Sequence, residues 1–79
     1  MAWKKIAKYS NKRKITWNKG EIDVVFSDMR NSPVPDERYP FSVLVARVDS
    51  SGEYEHLISK YFATRVQAMS FARNYMRKH

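Results

Sequence analysis

The side chains that most often carry out enzyme chemistry are sparse in this sequence and form no recognisable pattern. The chain has two histidines, His56 and His79, and no cysteine. Neither histidine stands at a metal-ligand spacing or beside a candidate nucleophile. Two acidic pairs lack a metal-ligand or glycine-rich context as well: Asp23 with Asp28, and Asp36 with Glu37. We therefore predict that the protein is not an enzyme and uses no metal or cofactor.

Basic side chains are the second group with chemical potential, and they are concentrated at the two ends of the chain. Residues 1–20 carry seven lysines and arginines and no acidic residue, residues 21–56 carry three against eight, and residues 57–79 carry five against none. Cations without neighbouring acids repel each other and gain from an anionic partner. In the first block they alternate with Trp3 and Trp17, a mixture used to contact phosphates and bases. This pattern predicts nucleic-acid binding, with DNA as the first candidate.

The candidate nucleic-acid-binding residues come from the N-terminal block, from two strands and from the C-terminal helix. They are Lys4, Lys5, Lys8, Lys12, Arg13, Lys14, Trp17, Lys19, Arg47, Lys60, Arg73, Arg77 and Lys78. For Trp3 and Trp17 we favour the alternative that they are core residues, because burying an indole strongly stabilises a small domain. For Arg73, Arg77 and Lys78 the alternative is an ordinary solvated helix surface, since cations in a last turn complement the helix dipole.

Length and composition predict one small folded domain over residues 1–79. A chain of 79 residues buries only about 60% of the surface that it exposes when unfolded. Its 43% hydrophobic content is too high for a disordered tail despite a net charge of +7. It contains no apolar run long enough to span a membrane and no apolar core of a secretory signal. With no cysteine, which suits a reducing compartment, we expect a soluble cytoplasmic protein without a membrane partner.

The clearest predicted element is an amphipathic helix over residues 64–78. Thr64 followed three residues later by Gln67 matches a capping box, and neither glycine nor proline occurs after it. At about 100° per residue, one stripe of this helix is apolar; it comprises Ala68, Met69, Ala72, Tyr75 and Met76. The helix should therefore pack one face against the rest of the domain.

Four strands are predicted before the helix, in two hairpins. They cover residues 13–17, 21–28, 41–49 and 53–62. Gly20 and Gly52 mark the two turns, because glycine takes positive φ without strain. Three prolines within residues 30–40 interrupt strand pairing and predict a long loop there. The expected architecture is α+β, an antiparallel sheet in the order β-β-loop-β-β-α with one C-terminal helix on one face.

Two parts of this architecture stay open. Residues 1–12 are predicted to be a basic arm, in which residues 2–9 are either a short helix or extended. In the third predicted strand, Val43 and Leu44 point to opposite faces, so both faces of the sheet carry apolar groups. One helix covers one face only. The N-terminal segment, a second copy of the chain in a homodimer, or a ligand is expected to cover the other.

Residues 41–78 resemble the sheet-then-helix half of the arm-type DNA-binding module at the N-termini of phage integrases, which is similar to plant AP2 domains. The likeness lies in the strand FSVLVARVD, the turn around Gly52, and the strand that ends in KYFATRVQAMSFA and enters the helix through Thr64. The resemblance implies strands in the DNA major groove with the helix packed behind them. It would place Arg47 and Lys60 at the groove. The small size, the absence of cysteine and the basic N-terminus also look like a phage accessory protein.

A protein-interaction module is the second interpretation of the sequence. The uncovered apolar face of the predicted sheet and the proline-rich loop are the features that support it, because exposed apolar patches and long loops are enriched in binding sites. A phage-encoded factor that binds and modulates a host protein would be one example.

Overall fold

The computed structural model describes residues 2–11, 13–30 and 38–79. They form an antiparallel five-stranded sheet followed by one helix. The elements are β1 (Lys4–Lys5), β2 (Lys14–Lys19), β3 (Ile22–Asp28), β4 (Phe41–Val48), β5 (Tyr54–Phe62) and α1 (Arg65–Lys78). The strands lie side by side in chain order. The predicted α+β class and the helix on one face are confirmed. Lys12 and most of the predicted proline-rich loop, residues 31–37, lie outside the described residues.

Both hairpin turns contain the glycine that the sequence indicates. Gly20 has φ of 61° and Gly52 has φ of 88°, values that residues other than glycine rarely adopt. At the second turn, the Asp49 carboxylate accepts hydrogen bonds from the main-chain N–H groups of Ser51 (2.9 Å) and Glu53 (3.1 Å). These bonds satisfy the turn's own polar groups and end β4 at Val48.

The hydrophobic core lies between the sheet and α1. Val24 and Phe26 of β3 and Val43 and Val45 of β4 are fully buried on one face. The helix faces them with small side chains, Ala68 and Ala72, both fully buried as well. Small residues at these positions let the helix approach the sheet closely, which leaves little room for a larger side chain at either position.

The start of α1 is fixed by its cap. Thr64 has extended backbone angles, and its Oγ1 accepts a hydrogen bond from the Gln67 N–H at 3.2 Å. One of the N–H groups that a helix N-terminus leaves unsatisfied is thereby paired. The helix consequently begins at Arg65, immediately after the predicted capping residue.

The N-terminal segment supplies an edge strand that the four predicted strands do not include. Lys4 pairs with Asn18 and Lys5 with Trp17, so β1 lies beside β2. A single 3-10 turn, Ala7–Tyr9, follows. The segment left open as helix or extended chain thus contains a short piece of each. Residues 4–5 lie along the edge of the sheet instead of over its second face.

Candidate nucleic-acid interface

The two basic ends of the chain meet at one corner of the molecule. The indole Nε1 of Trp3 donates a hydrogen bond to the main-chain oxygen of Met76 at 2.8 Å. The same indole packs edge-on against Tyr75, with ring centroids 6.3 Å apart. Nearby, Lys19 Nζ donates to the main-chain oxygen of His79 at 2.5 Å. These contacts hold β1 and the β2–β3 turn against the last turn of α1.

This arrangement brings two basic segments, far apart in sequence, to the same end of the molecule. The cations within two residues of these contacts are Lys4, Lys5, Lys19, Arg77 and Lys78, and we call them the basic corner. Lys5 lies on the helix side of β1 and Lys4 on the opposite face, whereas Lys78 lines a hollow with Ile58 of β5. Four of them are exposed, whereas Lys19 is half-buried, with Nζ 5.9 Å from the centroid of the Trp3 ring. Among the described residues, no carboxylate forms an ion pair with the four exposed cations. Their charges are therefore available to an anionic partner.

Acidic groups near the corner are engaged by other partners. Glu21 follows the same turn as Lys19, but its carboxylate lies 3.5 Å from the Arg47 guanidinium. At the β4–β5 turn, hydrogen bonds from the Ser51 hydroxyl and from main-chain N–H groups hold the pKa of the Asp49 carboxyl below its ordinary value. Asp49 therefore stays ionised, as an acceptor within its own turn.

The structure separates the remaining N-terminal candidates from the basic corner. Arg13 and Lys14 are exposed at the opposite end of β2, beside the end of β3. Lys8 lies in the 3-10 turn between these two regions. Arg73 is exposed on α1 one turn before Arg77. The six described cations of residues 1–20 thus do not form one continuous arm.

Arg47 and Lys60 lie on the helix side of the sheet. Lys60 pairs with Val43, which faces the core, and directly paired residues of an antiparallel sheet share a face. Arg47 pairs with Ile22 and Glu55 on that same face. This position differs from the one implied by the resemblance, in which the face away from the helix would meet DNA. The pairing of Arg47 and Lys60 with residues on the helix side of the sheet accounts for the difference.

Both tryptophans pack against the hydrophobic core, which agrees with the core alternative for each. Trp17 is half-buried on β2 between Lys5 of β1 and Val24 of β3. Trp3 is half-buried against α1, and its Nε1 donor is already used by Met76. Neither indole stands free as a stacking platform for a base.

Arg65, in the first turn of α1, packs on the hydrophobic core. Its guanidinium lies 5.0 Å from the centroid of the buried Phe26 ring, so it covers the end of the core beside the start of α1. A cation in a first helical turn opposes the helix dipole. That local disadvantage is the signal in the sequence that Arg65 has a tertiary role.

The histidines are both engaged in ring contacts. His56 meets Tyr54 edge-on with centroids 5.1 Å apart, and His79 stacks on Tyr75 at 4.3 Å. Within residues 2–11, 13–30 and 38–79, no three His, Cys, Asp or Glu side chains come together as a metal site would require. Over the same residues, no helix has the length and apolar character needed to cross a membrane.

The arrangement as a whole offers a concentration of positive charge. It can neutralise phosphates from a rigid surface, because its cations lie on a strand, a turn and a helix end that are bonded to each other. A search of known protein families, of curated protein sequences and of solved structures found no match to this chain.

Proposed function

We propose that the protein binds nucleic acid, with DNA as the first candidate, through the basic corner. The observation that carries the proposal is the hydrogen bond from Trp3 to Met76, because it brings the segments that carry the N-terminal and C-terminal cations to one end of the molecule. Phosphate contacts gain from several cations held at once, and each contact releases condensed counterions.

The chemistry of the corner favours contacts to the sugar-phosphate backbone. Lysine and arginine side chains dominate it, and its aromatic rings are engaged with each other or with the main chain. Base discrimination needs side chains that reach base edges or stack on them. We therefore propose binding with little dependence on base sequence.

A salt titration measures the number of phosphate contacts. If all five cations of the basic corner meet phosphates on a duplex, the slope of log affinity against log salt reaches about −4.5. Binding of the full chain to single- and double-stranded DNA of random sequence, measured by fluorescence anisotropy, gives this slope. A chain that binds neither form at low salt would disprove the proposal.

Matched charge variants locate the surface. Replacing Arg77 and Lys78 together by glutamine removes two charges from the basic corner. Replacing Arg30 and Arg38 by glutamine removes two charges at the other end of the sheet. The first variant should weaken binding and reduce the steepness of the salt slope by about 1.8, since each phosphate contact contributes about 0.9. The second should retain the slope. Equal losses in both variants would show that net charge alone, and not the corner, directs binding.

A protein-interaction role is the second candidate, and one observation favours it. Tyr39, Tyr61 and Val66 are 47%, 58% and 75% exposed. They border a shallow apolar groove that Phe62 and Phe71 also line. Apolar clusters of this kind often mark contact sites for other proteins.

Mutation of the groove separates the two candidates. Replacing Val66 by Lys should leave DNA binding unchanged, because Val66 lies near the start of α1 and the basic corner at its end. If the protein acts on a partner protein through the groove, the same change abolishes capture of that partner at high salt. Loss of DNA binding on replacing Val66 would contradict the assignment of the corner.

A further inference from the structure

The two edges of the sheet differ in how well they are protected. The edge at β1 is two residues long, and both residues are lysines, which discourage pairing with another strand. The edge at β5 is nine residues long, and most of its side chains are exposed. Long unprotected edges present unpaired main-chain groups that another strand can bind. The β5 edge is therefore the candidate docking surface.

The hydrogen bond from Val48 N–H to Glu21 O, at 2.8 Å, shows which main-chain groups of β5 are unpaired. The main-chain groups of successive strand residues point to opposite sides of the strand. Those of Val48, Ala46, Leu44 and Ser42 therefore bond towards β3, and those of Arg47, Val45, Val43 and Phe41 bond towards β5. Their partners on β5 are Glu55, Ile58, Lys60 and Phe62. The outward main-chain groups consequently belong to Tyr54, His56, Ser59 and Tyr61. The described residues provide no hydrogen-bond partner for these groups.

A β-bulge determines the sides on which the charged residues of β5 lie. The register with β4 shifts by one residue between Val45 and Ala46, which leaves Leu57 as the extra residue. Glu55 and Lys60 are an odd number apart and would otherwise point to opposite faces. The bulge brings both onto the helix side of the sheet.

We infer that β5 pairs with β5 of a second copy of this chain, antiparallel and about a twofold axis between Leu57 and Ile58. In this register, Tyr54 of one copy lies opposite Tyr61 of the other, and His56 lies opposite Ser59. All four residues direct their main-chain groups outward, so the two residues of each pair can exchange both main-chain N–H···O hydrogen bonds. Glu55 of each copy lies opposite Lys60 of the other, in the closer, non-hydrogen-bonded type of pair.

Charge complementarity selects this register. Centring the pair on Glu55 would set two glutamates against each other, and centring it on Lys60 would set two lysines against each other. Like charges directly opposite are destabilising. The proposed register pairs opposite charges twice. It places Leu57, the extra residue of the bulge, at the twofold axis, between two segments of regular strand pairing.

The pairing is separate from the proposed nucleic-acid function. It uses the main-chain edge of β5, whereas β1 with Lys4 and Lys5 lies at the other edge; of the basic corner, Lys78 lies on the β5 side, in a hollow that Ile58 also lines. It also differs from a homodimer through the uncovered sheet face, because it extends that face into a ten-stranded sheet. Each dimer carries two basic corners, one at each end.

Charge reversal and charge exchange test the register. The unmodified chain should show a concentration-dependent dimer in sedimentation equilibrium up to about 1 mM, where even a weak contact is populated. Lys60→Glu and Glu55→Lys should each weaken the dimer about tenfold or more, because two attractive pairs become repulsive. The double variant Glu55→Lys with Lys60→Glu should restore it. Glu53→Lys, which makes the same charge change in the neighbouring turn, should have no effect.

Disulfide cross-linking provides a direct measurement of the same geometry. The chain has no cysteine, so a Glu55→Cys variant mixed with a Lys60→Cys variant contains one reactive thiol on each chain. Directly opposite residues in a non-hydrogen-bonded pair have suitable separation for a disulfide. The mixture should cross-link under mild oxidation, and each variant alone should not. A monomer at every concentration, or a double charge variant that fails to restore pairing, would overturn the inference.

Discussion

The indole nitrogen of Trp3 donates its hydrogen bond to the main-chain oxygen of Met76, across 73 positions of sequence. Met76 lies in the last turn of α1, where carbonyl groups have no partner within the helix. The bond therefore satisfies a helix end and anchors the N-terminal segment at the same time. It is also the contact that assembles the basic corner.

Removing the Trp3 side chain should destabilise the whole domain. Trp3→Ala should lower the free energy of unfolding by about 2–3 kcal/mol, since a half-buried ring and a hydrogen bond are both lost. Trp3→Phe keeps an aromatic ring and removes only the donor, so we expect a loss of about 1 kcal/mol. Urea denaturation followed by circular dichroism measures both. If both variants unfold like the unmodified chain, Trp3 does not contribute through this contact.

The same substitution should weaken DNA binding even though it removes no charge. Without the Trp3 anchor, the segment that carries Lys4 and Lys5 is no longer fixed to the end of α1, and ordering it costs conformational entropy on binding. We expect a several-fold loss of affinity for Trp3→Phe in conditions where the variant is folded. An unchanged affinity would indicate that the cations act independently of their arrangement.

The Asp28–Arg30 pair should make stability depend on acid pH. The Arg30 guanidinium donates two hydrogen bonds to the Asp28 carboxylate, at 3.0 and 2.7 Å, and these bonds hold the pKa of Asp28 below its usual 3.8. Stabilisation is then present at neutral pH and is lost as the pH falls through the lowered pKa. The contribution is small, because Arg30 is 62% exposed and solvent screens the pair.

Asp28→Asn provides the comparison for that pH dependence. The variant should be less stable than the unmodified chain at pH 7, and the two should converge as the pH falls below the lowered pKa of Asp28. Thermal unfolding at several pH values measures the difference. A difference that stays constant down to low pH would assign the effect to packing instead of charge.

Close packing at Ala72 should not tolerate a larger side chain. Ala72 is fully buried between α1 and the sheet, so Ala72→Leu should destabilise the domain by about 1–3 kcal/mol through overpacking. Ser70→Leu adds an apolar side chain on the exposed surface of the same helix and should change stability by less than about 0.5 kcal/mol. Similar values for the two variants would show that α1 can move away from the sheet.

The helix cap should contribute a measurable share of stability. Thr64→Ala removes the oxygen that accepts from the Gln67 N–H, with an expected loss of about 1 kcal/mol. Thr64→Ser keeps that oxygen and should remain close to the unmodified chain. Chemical denaturation of the three proteins tests this, and an alanine variant as stable as the serine variant would contradict the role of the cap.

Local patterns were sufficient to predict most of the secondary structure. Thr64 and Gln67 indicate the start of α1, and the glycines at 20 and 52 mark both hairpin turns, because capping and positive φ are properties of a few neighbouring residues. The four predicted strands agree with β2 to β5 to within two residues at each end. Alternation along β3 also identifies Val24 and Phe26 as core residues.

The β1 strand, the bulge at Leu57 and the position of Arg65 were not predictable in the same way. A two-residue strand has almost no pattern of its own, and β1 exists because β2 pairs with it and Trp3 is anchored on α1. The bulge shows only when β4 and β5 are aligned residue by residue. Arg65 packs on Phe26, a ring that lies 39 positions earlier in the chain.

The amino-acid sequence by itself determined the fold class, the helix with its cap, the hairpins and the concentration of positive charge in the two terminal blocks. Only the tertiary structure decided which of those charges lie together. Lys4, Lys5 and Lys19 lie in segments that meet the last turn of α1, which carries Arg77 and Lys78, whereas Arg13 and Lys14 are at the other end of β2. The physical reason is that charge counts follow from composition, but proximity depends on contacts such as Trp3 to Met76 that close the chain over its full length.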